Sequence, residues 1–557
     1  SSPAIRHASS AAGMTSPAPP ERAAGAVPSE IASASVAGAS WTLVSRVTGF
    51  GRVAVLAAVL GPTYLGNTFQ ATNLFPNIVF YLLTGSLFAN LLVPPLMRHV
   101  DTGDREATER LARGFLGVVL PVLIAVSVVA IVAGPLILRV FATGVADPAI
   151  AADQRRVGMV LLVLLMPQVP LYGVAFTGAA VMNAHGRFAL ANAAPTLENL
   201  GMMATLAVSA AMYGVGRDVG SVGTGQLVLL GAGTTASVGV HAAAQWWGAR
   251  RCGVTLVPRL AWHESEVRAV IDRAVPSLGY AGLNATKEFA LLVVANRVAG
   301  GVVAFQVAYN FYNLAVAIGA RTVANASLPT LARLERHRRP ELRDELVRAV
   351  GLSLFLTVPA AFAFAGLAHP LSEGVAFGEM ATSRGFDLVA AGLIALAVGV
   401  VADAVFTMAT AASYALHDAR APLRAMAVRT AVTLGAMVTA VATDRPAMVV
   451  LALGAAVSLG NVAGAVPLVL HLEHLLPAGV ERVWPRVARP LLAGAVMVLP
   501  ALVATNALHA HTHGLSGREL GLAIAVAAGG AIYLATSAAL HSPELRSFTD
   551  ALRPRRH

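Results

Sequence analysis

Roughly fourteen apolar segments, each about 20 residues or longer, follow one another from Ala39 to Leu540, and almost every charge falls in the short gaps between them. A hydrocarbon core about 30 Å thick takes about 20 residues of helix to cross, so the pattern is that of a chain threaded repeatedly through a bilayer. A helix satisfies its own backbone hydrogen bonds in lipid, whereas the alternation of a membrane barrel is not visible here. The predicted class is all-α, a polytopic integral membrane protein. Composition agrees, because 56% hydrophobic residues, 12% charged residues and a mean hydropathy of +0.68 leave a 557-residue chain short of the polar surface a soluble protein needs.

The predicted spans are 39–60, 68–97, 114–141, 157–182, 188–213, 226–248, 267–296, 301–330, 347–368, 386–416, 422–443, 446–470, 487–507 and 519–540. Residues 1–36, rich in Ala, Ser and Pro, read as a disordered tail. Met14 is a candidate start, and no cleavable signal peptide is expected because the first apolar run is already of membrane length. Arginines follow every even-numbered span, among them Arg98, Arg187, Arg250, Arg333, Arg420, Arg482 and Arg553. The odd-numbered exits, such as 61–66 and 506–514, are poor in arginine. By the positive-inside rule both termini are cytoplasmic, which requires an even number of spans; the bias toward Ala and Arg suggests a high-GC bacterium, so the expected location is the bacterial cytoplasmic membrane. The loop at 249–265 divides the chain into two runs of six spans, 37–248 and 266–473, followed by a terminal pair at 474–541 and a basic tail at 542–557. Internal duplication of this kind is common in transporters.

Several function classes find no support. The net charge of +11 suggests nucleic acid, but the arginines are spread over loops and form no basic domain or aromatic stripe. No Walker loop, HExxH or GxSxG is present, so no enzyme is expected. Cys252 is the single cysteine, which excludes an internal disulfide and a cysteine-built metal site. His509, His511 and His513, like His471 and His474, are better read as solvated loop residues than as metal ligands. No metal or cofactor is expected.

The informative residues are charges inside apolar spans. A charge near the bilayer centre costs roughly 2.5 to 3.5 kcal/mol on insertion scales, so several of them imply a wet cavity or ion partners. Arg46 and Arg52 lie in span 1, about 9 Å apart along a helix. Two permanent guanidiniums beside a cavity suit a phosphate or diphosphate, and Gly49 and Gly51 leave room for close approach. Lys287, the sole lysine, sits in span 7 beside Glu288. Adjacent helical residues face different ways, so its expected partner is on another helix. Arg321 in span 8 and Asp403 in span 10 are candidates for an ion pair, and Glu198 in span 5 for countering an arginine. Glu198, Glu288 and Asp403 are also the candidates for coupling to Na⁺, H⁺ or the membrane potential.

Five stretches together resemble the MurJ/MviN family of lipid II flippases, within the multidrug/oligosaccharidyl-lipid/polysaccharide exporter superfamily. Span 1 is similar to an SRxxGFxR signature through Ser45, Arg46, Gly49, Phe50 and Arg52. Span 2 matches through Phe75, Pro76, Asn77, Phe88, Val93 and Pro94, and the remaining stretches are 182–203, 327–334 and 417–424. The resemblance, over about residues 38–540, implies two six-helix lobes around a cationic cavity, with the last two helices forming a groove for a polyprenyl tail. It implies a polyprenyl-diphosphate-linked substrate carried by alternating access, with Arg46 and Arg52 at the diphosphate. Membrane lipids and cell-wall synthesis proteins are the other expected partners, and the chain is expected to act as a monomer. The chain departs from the family where Asn67, Phe80 with Tyr81, and Gly85 replace charged residues of span 2. Asn310 stands for an arginine and Met437 for an asparagine, so the family's sodium site is not carried over. The expected cavity set is Arg46, Arg52, Asn67, Asn77, Asn310, Lys287 and Arg321. Two alternatives stay open: an exporter of another lipid-linked glycan or of amphipathic drugs, and a non-transporting scaffold for cell-wall assembly.

Overall fold

The computed structural model describes residues 27–84, 92–274, 277–335, 339–509 and 515–552, and among these all regular structure is helical. The first group of helices comprises α1 (Val27–Leu60), α2 (Tyr64–Thr84), α3 (Val93–Asp101), α4 (Arg105–Val132), α5 (Gly134–Phe141), α6 (Pro148–Leu165), α7 (Gln168–Ala184), α8 (Phe188–Tyr213) and α9 (Thr224–Arg251). The second comprises α10 (Ser265–Ala274), α11 (Ser277–Ala295), α12 (Gly301–Val316), α13 (Thr322–Glu335), α14 (Arg339–Gly366), α15 (Ala368–Val375), α16 (Ser383–Ala415), α17 (Arg420–Ala436), α18 (Val438–Val441) and α19 (Pro446–Leu475). A C-terminal set follows with α20 (Val483–His509), α21 (Leu515–Ala539) and α22 (Pro543–Leu552).

Among the described residues, eleven helices are long and apolar enough to cross a membrane. The other three predicted spans, at 68–97, 188–213 and 267–296, are also largely helical but fall below that combination of length and apolarity; α2, α8 and α11 occupy them. These three helices carry many of the polar side chains that the cavity uses, which is what lowers their hydropathy. Residues 85–91, with Gly85 and Phe88, lie outside the described residues, as do 1–26, 275–276, 336–338, 510–514 with His511 and His513, and 553–557. Helix begins at Val27, inside the stretch 1–36 expected to be a disordered tail. Pro28 in the first turn suits a helix start, and the Ala-rich run behind it offers no breaker.

Helix boundaries follow local chemistry. The Asp104 carboxylate accepts from Ala107 N at 2.8 Å to start α4, and Asp147 accepts from Ala149 N at 2.8 Å with Pro148 opening α6. Within the first group α8 packs on α1 and α9, and within the second α16 packs on α19, α14 and α12. Small residues make the closest approaches, as where Ser458 Oγ and Asn461 Nδ2 of α19 bond backbone groups of Gly399 on α16. The 249–265 linker lies across α4: Arg259 N donates to Arg113 O at 3.1 Å, and Gly117 has no side chain because a Cβ there would sit 2.0 Å from the Arg259 carbonyl oxygen. α20 and α21 pack on each other and on α14, where the Tyr533 hydroxyl donates to Phe355 O at 2.8 Å. Large apolar side chains point outward, Val132 and Leu499 at 75% and 70% exposed, as a surface solvated by lipid requires.

Candidate functional site

The two helix groups meet on either side of α2, and a cavity of about 650 Å³ opens between α2 and helices α11, α12, α16 and α17. Asn77 and Tyr81 line it from the first group. Lys287, Glu288, Arg321, Asp403 and Arg429 line it from the second. Four of these five charges, all but Arg429, are expected from the sequence, but their pairing differs from expectation. Asp403 Oδ1 accepts from Arg429 Nη1 at 2.7 Å with both side chains 8% exposed, so its partner is Arg429 and not Arg321. Arg429 also lies over the Phe406 ring at 5.1 Å. Asn461 Nδ2 donates to the Tyr312 hydroxyl at 2.7 Å, which leaves the Tyr312 proton for Asp403. Lys287 Nζ reaches its chain neighbour Glu288 at 3.3 Å, where a partner on another helix was expected. The flexible four-carbon stem lets the ammonium fold back where two short side chains would not meet. Tyr309 completes this pair by donating its hydroxyl proton to Glu288 Oε1 at 3.2 Å.

Arg321 is different. Residues Ala317–Arg321 form a π-helical turn between α12 and α13, with Thr322 Oγ1 donating to Ala317 O at 2.9 Å. Such a bulge re-aims one side chain at the end of a straight helix, and Arg321 is exposed to the cavity with no hydrogen bond or ion pair among the described residues.

A second cavity, of about 410 Å³, lies within the first group and is lined by Arg46, Phe176, Asn183, Asn192, His241 and Gln245 among others. Arg46 is exposed and, among the described residues, makes no hydrogen bond or ion pair. Arg321 and Tyr81, which line the larger cavity, lie within electrostatic range of it. Arg52 corrects the expectation of a matched pair of free guanidiniums. Its Nη1 lies 3.8 Å from Glu198 Oε1, and Glu198 also accepts from the Tyr172 hydroxyl at 3.0 Å and from His241 Nδ1 at 2.8 Å. Glu198 does counter an arginine, but one on the helix packed against it. A side chain six residues along a helix from Arg46 points to a different neighbour.

Arg52 lines neither cavity, and two further residues leave the expected cavity set with it. Asn67 is wholly buried: Nδ2 donates to Asn296 Oδ1 at 3.1 Å and to Val298 O at 2.7 Å, while Oδ1 accepts from Val302 N at 3.0 Å. It joins the two helix groups at the end carrying the 61–63 and 296–300 turns. Gln154 Nε2 donates to Asn296 Oδ1 at 2.9 Å, and the Tyr64 hydroxyl donates to Arg297 O at 3.3 Å. Gly300, at φ +76°, completes the closure, since a Cβ there would stand 2.2 Å from Pro62 Cα. Asn310 donates to Gln306 O on its own helix at 2.8 Å and lines neither cavity; Asn313 faces the larger one instead. Sequence reasoning missed Arg429, Tyr172 and His241. Arg429 and His241 were available as polar residues inside apolar spans, the same signal that flagged Asp403; Tyr172 was not, because one hydroxyl on an aromatic ring does not stand out.

A third cavity, of about 160 Å³, is apolar and lies where α14, α16 and α19 meet α20, with Leu346, Val405, Val469 and Val487 among its walls. Arg486 at its rim is held by Glu544 at 2.7 Å and Glu481 at 3.0 Å.

Residues 56–531 match the model of the family described as lipid II flippase MurJ. A probable lipid II flippase MurJ of Rhizobium tropici is 26% identical over 396 residues, covering 70% of this chain and 72% of that protein. One of Vibrio cholerae is 23% identical over 514 residues, covering 89% and 93%. Among solved structures, lipid II flippase MurJ in an inward closed conformation superposes with a TM-score of 0.69 at 14% identity, over 93% of this chain and 100% of that one. An inward-facing multidrug resistance MATE transporter of the MOP superfamily gives 0.62 at 16% identity, over 79% and 97%. At these identities the structural likenesses establish the fold alone.

Proposed function

This chain belongs to the lipid II flippase MurJ family, and from that premise we propose that the two cavities receive the diphosphate and sugars of a polyprenyl-linked precursor on its way across the membrane. The observation that carries this reading is the pair Arg46 and Arg321, two guanidiniums from opposite helix groups that face the cavities without protein partners among the described residues. Arg46, Arg52, Lys287, Arg321 and Arg429 oppose Glu198, Glu288 and Asp403, so the chamber holds an excess of positive charge that a diphosphate neutralises. Arg321 takes the place of positive charge that the chain lacks at Asn310 and at Phe80 with Tyr81.

In this reading α1 to α9 form one lobe and α10 to α19 the other. The basic loops face the cytoplasm, and the end closed by Asn67, Asn296 and Gly300 faces outward, which leaves the chamber to be loaded from the cytoplasmic leaflet. The apolar cavity beside α20 takes the start of the polyprenyl tail while the polar head sits among the charges. Translocation of lipid II in proteoliposomes tests the reading. Arg46→Ala and Arg321→Ala are each expected to lower the rate by about tenfold or more, in line with loss of a charge-assisted contact of roughly 1.5 to 3 kcal/mol. Wild-type rates in Arg46→Ala, Arg321→Ala and the double variant would remove the proposed receptor.

A further inference from the structure

The Glu198 cluster has a property that anion binding does not require. Glu198 Oε2 and His241 Nδ1 are 2.8 Å apart, with side chains 13% and 6% exposed, yet His241 lines the smaller cavity beside Arg46. A neutral imidazole that donates from Nδ1 to Glu198 must accept at Nε2, and the Gln245 amide nitrogen lies there at 3.4 Å while also donating to Ala191 O at 2.9 Å. The other end of that amide, Gln245 Oε1, is buried with no hydrogen-bond partner among the described residues. An orphaned acceptor of this kind is costly where water is excluded. It has one use in reach: rotation of the amide presents Oε1 to a protonated Nε2 and exchanges the bond to Ala191 O for a bond to an imidazolium.

We propose that Glu198 and His241 form a proton-binding site whose occupancy is coupled to engagement of the anionic headgroup. The proton adds to Nε2 of His241, no other covalent bond changes, and the net charge of Arg52, Glu198 and His241 rises from zero to +1. The imidazolium then satisfies Glu198 at 2.8 Å, and Arg52, held at 3.8 Å and a quarter exposed, is the partner free to turn toward the chamber. Among the described residues the charged and titratable groups that face the cluster are Arg46 and Arg52 on α1, Tyr81 on α2 and Tyr172 on α7. Among the described residues α6 brings no charged side chain into contact with it. By linkage, a site that makes anion binding stronger when protonated must itself take up a proton when the anion binds. The inference rests on the reading of the chamber as a diphosphate receptor.

Two measurements on the purified full chain test it. Binding of farnesyl diphosphate, a short polyprenyl diphosphate, is measured between pH 8.5 and pH 6 for wild type and for His241→Gln, with Glu198→Gln as a second variant. The ligand's own ionisation is common to all three proteins. Wild-type affinity is expected to rise at least about fivefold more than that of either variant over this range; parallel profiles would overturn the coupling. Independently, nitrogen-15 imidazole spectra of the wild type, with His241 assigned by loss of its signal in His241→Gln or His241→Asn, are expected to show that ring gaining a proton between pH 8.5 and pH 6. A His241 ring that stays in one protonation state throughout sinks the proton site whether or not the ligand binds. Absence of ligand binding at every pH, with a titrating His241, instead counts against the diphosphate receptor and leaves the proton site standing.

Discussion

At the scale of single residues, the interior of the second helix group is governed by charges that already have partners. Asp403 and Arg429 sit 2.7 Å apart and are almost inaccessible, and among the described residues Arg429 Nε has no acceptor, so the pair is held by one strong bond and by the Phe406 face. Removing one member of such a pair leaves an uncompensated buried charge, at a cost of about 3 to 5 kcal/mol. Asp403→Leu is therefore expected to lower the unfolding temperature in detergent sharply. Asp403→Leu combined with Arg429→Met, which replaces both charges by apolar side chains, is expected to recover most of that loss. A double variant no more stable than the single one would mean that the chamber's water, rather than protein, solvates Arg429. Arg321 is expected to behave oppositely: with no partner among the described residues, its replacement by Ala should leave thermal stability within about 0.5 kcal/mol of wild type while lowering transport.

At the scale of helices, the sequence was legible where one physical rule acts alone. Membrane thickness fixes the length of an apolar run, so the segment 446–470 falls within helix Pro446–Leu475 and 519–540 overruns helix Leu515–Ala539 by one residue. What could not be read is which charge meets which, because the partner of Asp403 or Lys287 depends on helix rotation and tilt. Spacing along one helix carries neither. The Asn67 contact was illegible for the same reason, since its partners lie more than two hundred positions away. Local chemistry at helix ends was open to reading and is testable. Asp418 starts α17 by accepting from Arg420 N and Ala421 N, each at 3.0 Å, and it contacts His471 Nε2 at 2.9 Å. The Ala421 N–H above all, with His471 assisting, holds its carboxyl below the usual carboxylate range. A carboxylate lowered by folding contributes stability that is fully present above its ordinary value, and that contribution fades as pH falls through the lowered one. Asp418→Ala is expected to cost about 1 kcal/mol at neutral pH, with the difference from wild type shrinking below about pH 4. Unfolding curves at pH 7 and pH 3.5 check this, and a gap that does not narrow in acid would mean the cap acts without its charge.

At the scale of the whole molecule, alternating access requires the contacts that close one end to be broken in each cycle. Here that end is joined by a small set of neutral polar bonds: Asn67 to Asn296, Val298 and Val302, Gln154 to Asn296, and Tyr64 to Arg297. Each neutral hydrogen bond contributes only about 0.5 to 1.5 kcal/mol net, so the junction is specific in register without being strong enough to lock the protein in one state. An aspartate at position 67 would accept from Val302 N but has no proton to give Asn296 Oδ1 or Val298 O, so the junction depends on both ends of the asparagine amide. Fixing the junction covalently should therefore stop transport without unfolding anything. With Cys252 replaced by Ser, cysteines at positions 67 and 296 bridged by a cleavable bifunctional thiol reagent are expected to reduce lipid II translocation to background, and cleavage of the bridge to restore it. Treatment of either single-cysteine protein should have little effect. Transport that continues through an intact bridge would mean that the two helix groups do not separate at this end, and the closed junction would then be a fixed hinge about which the opposite end alone moves.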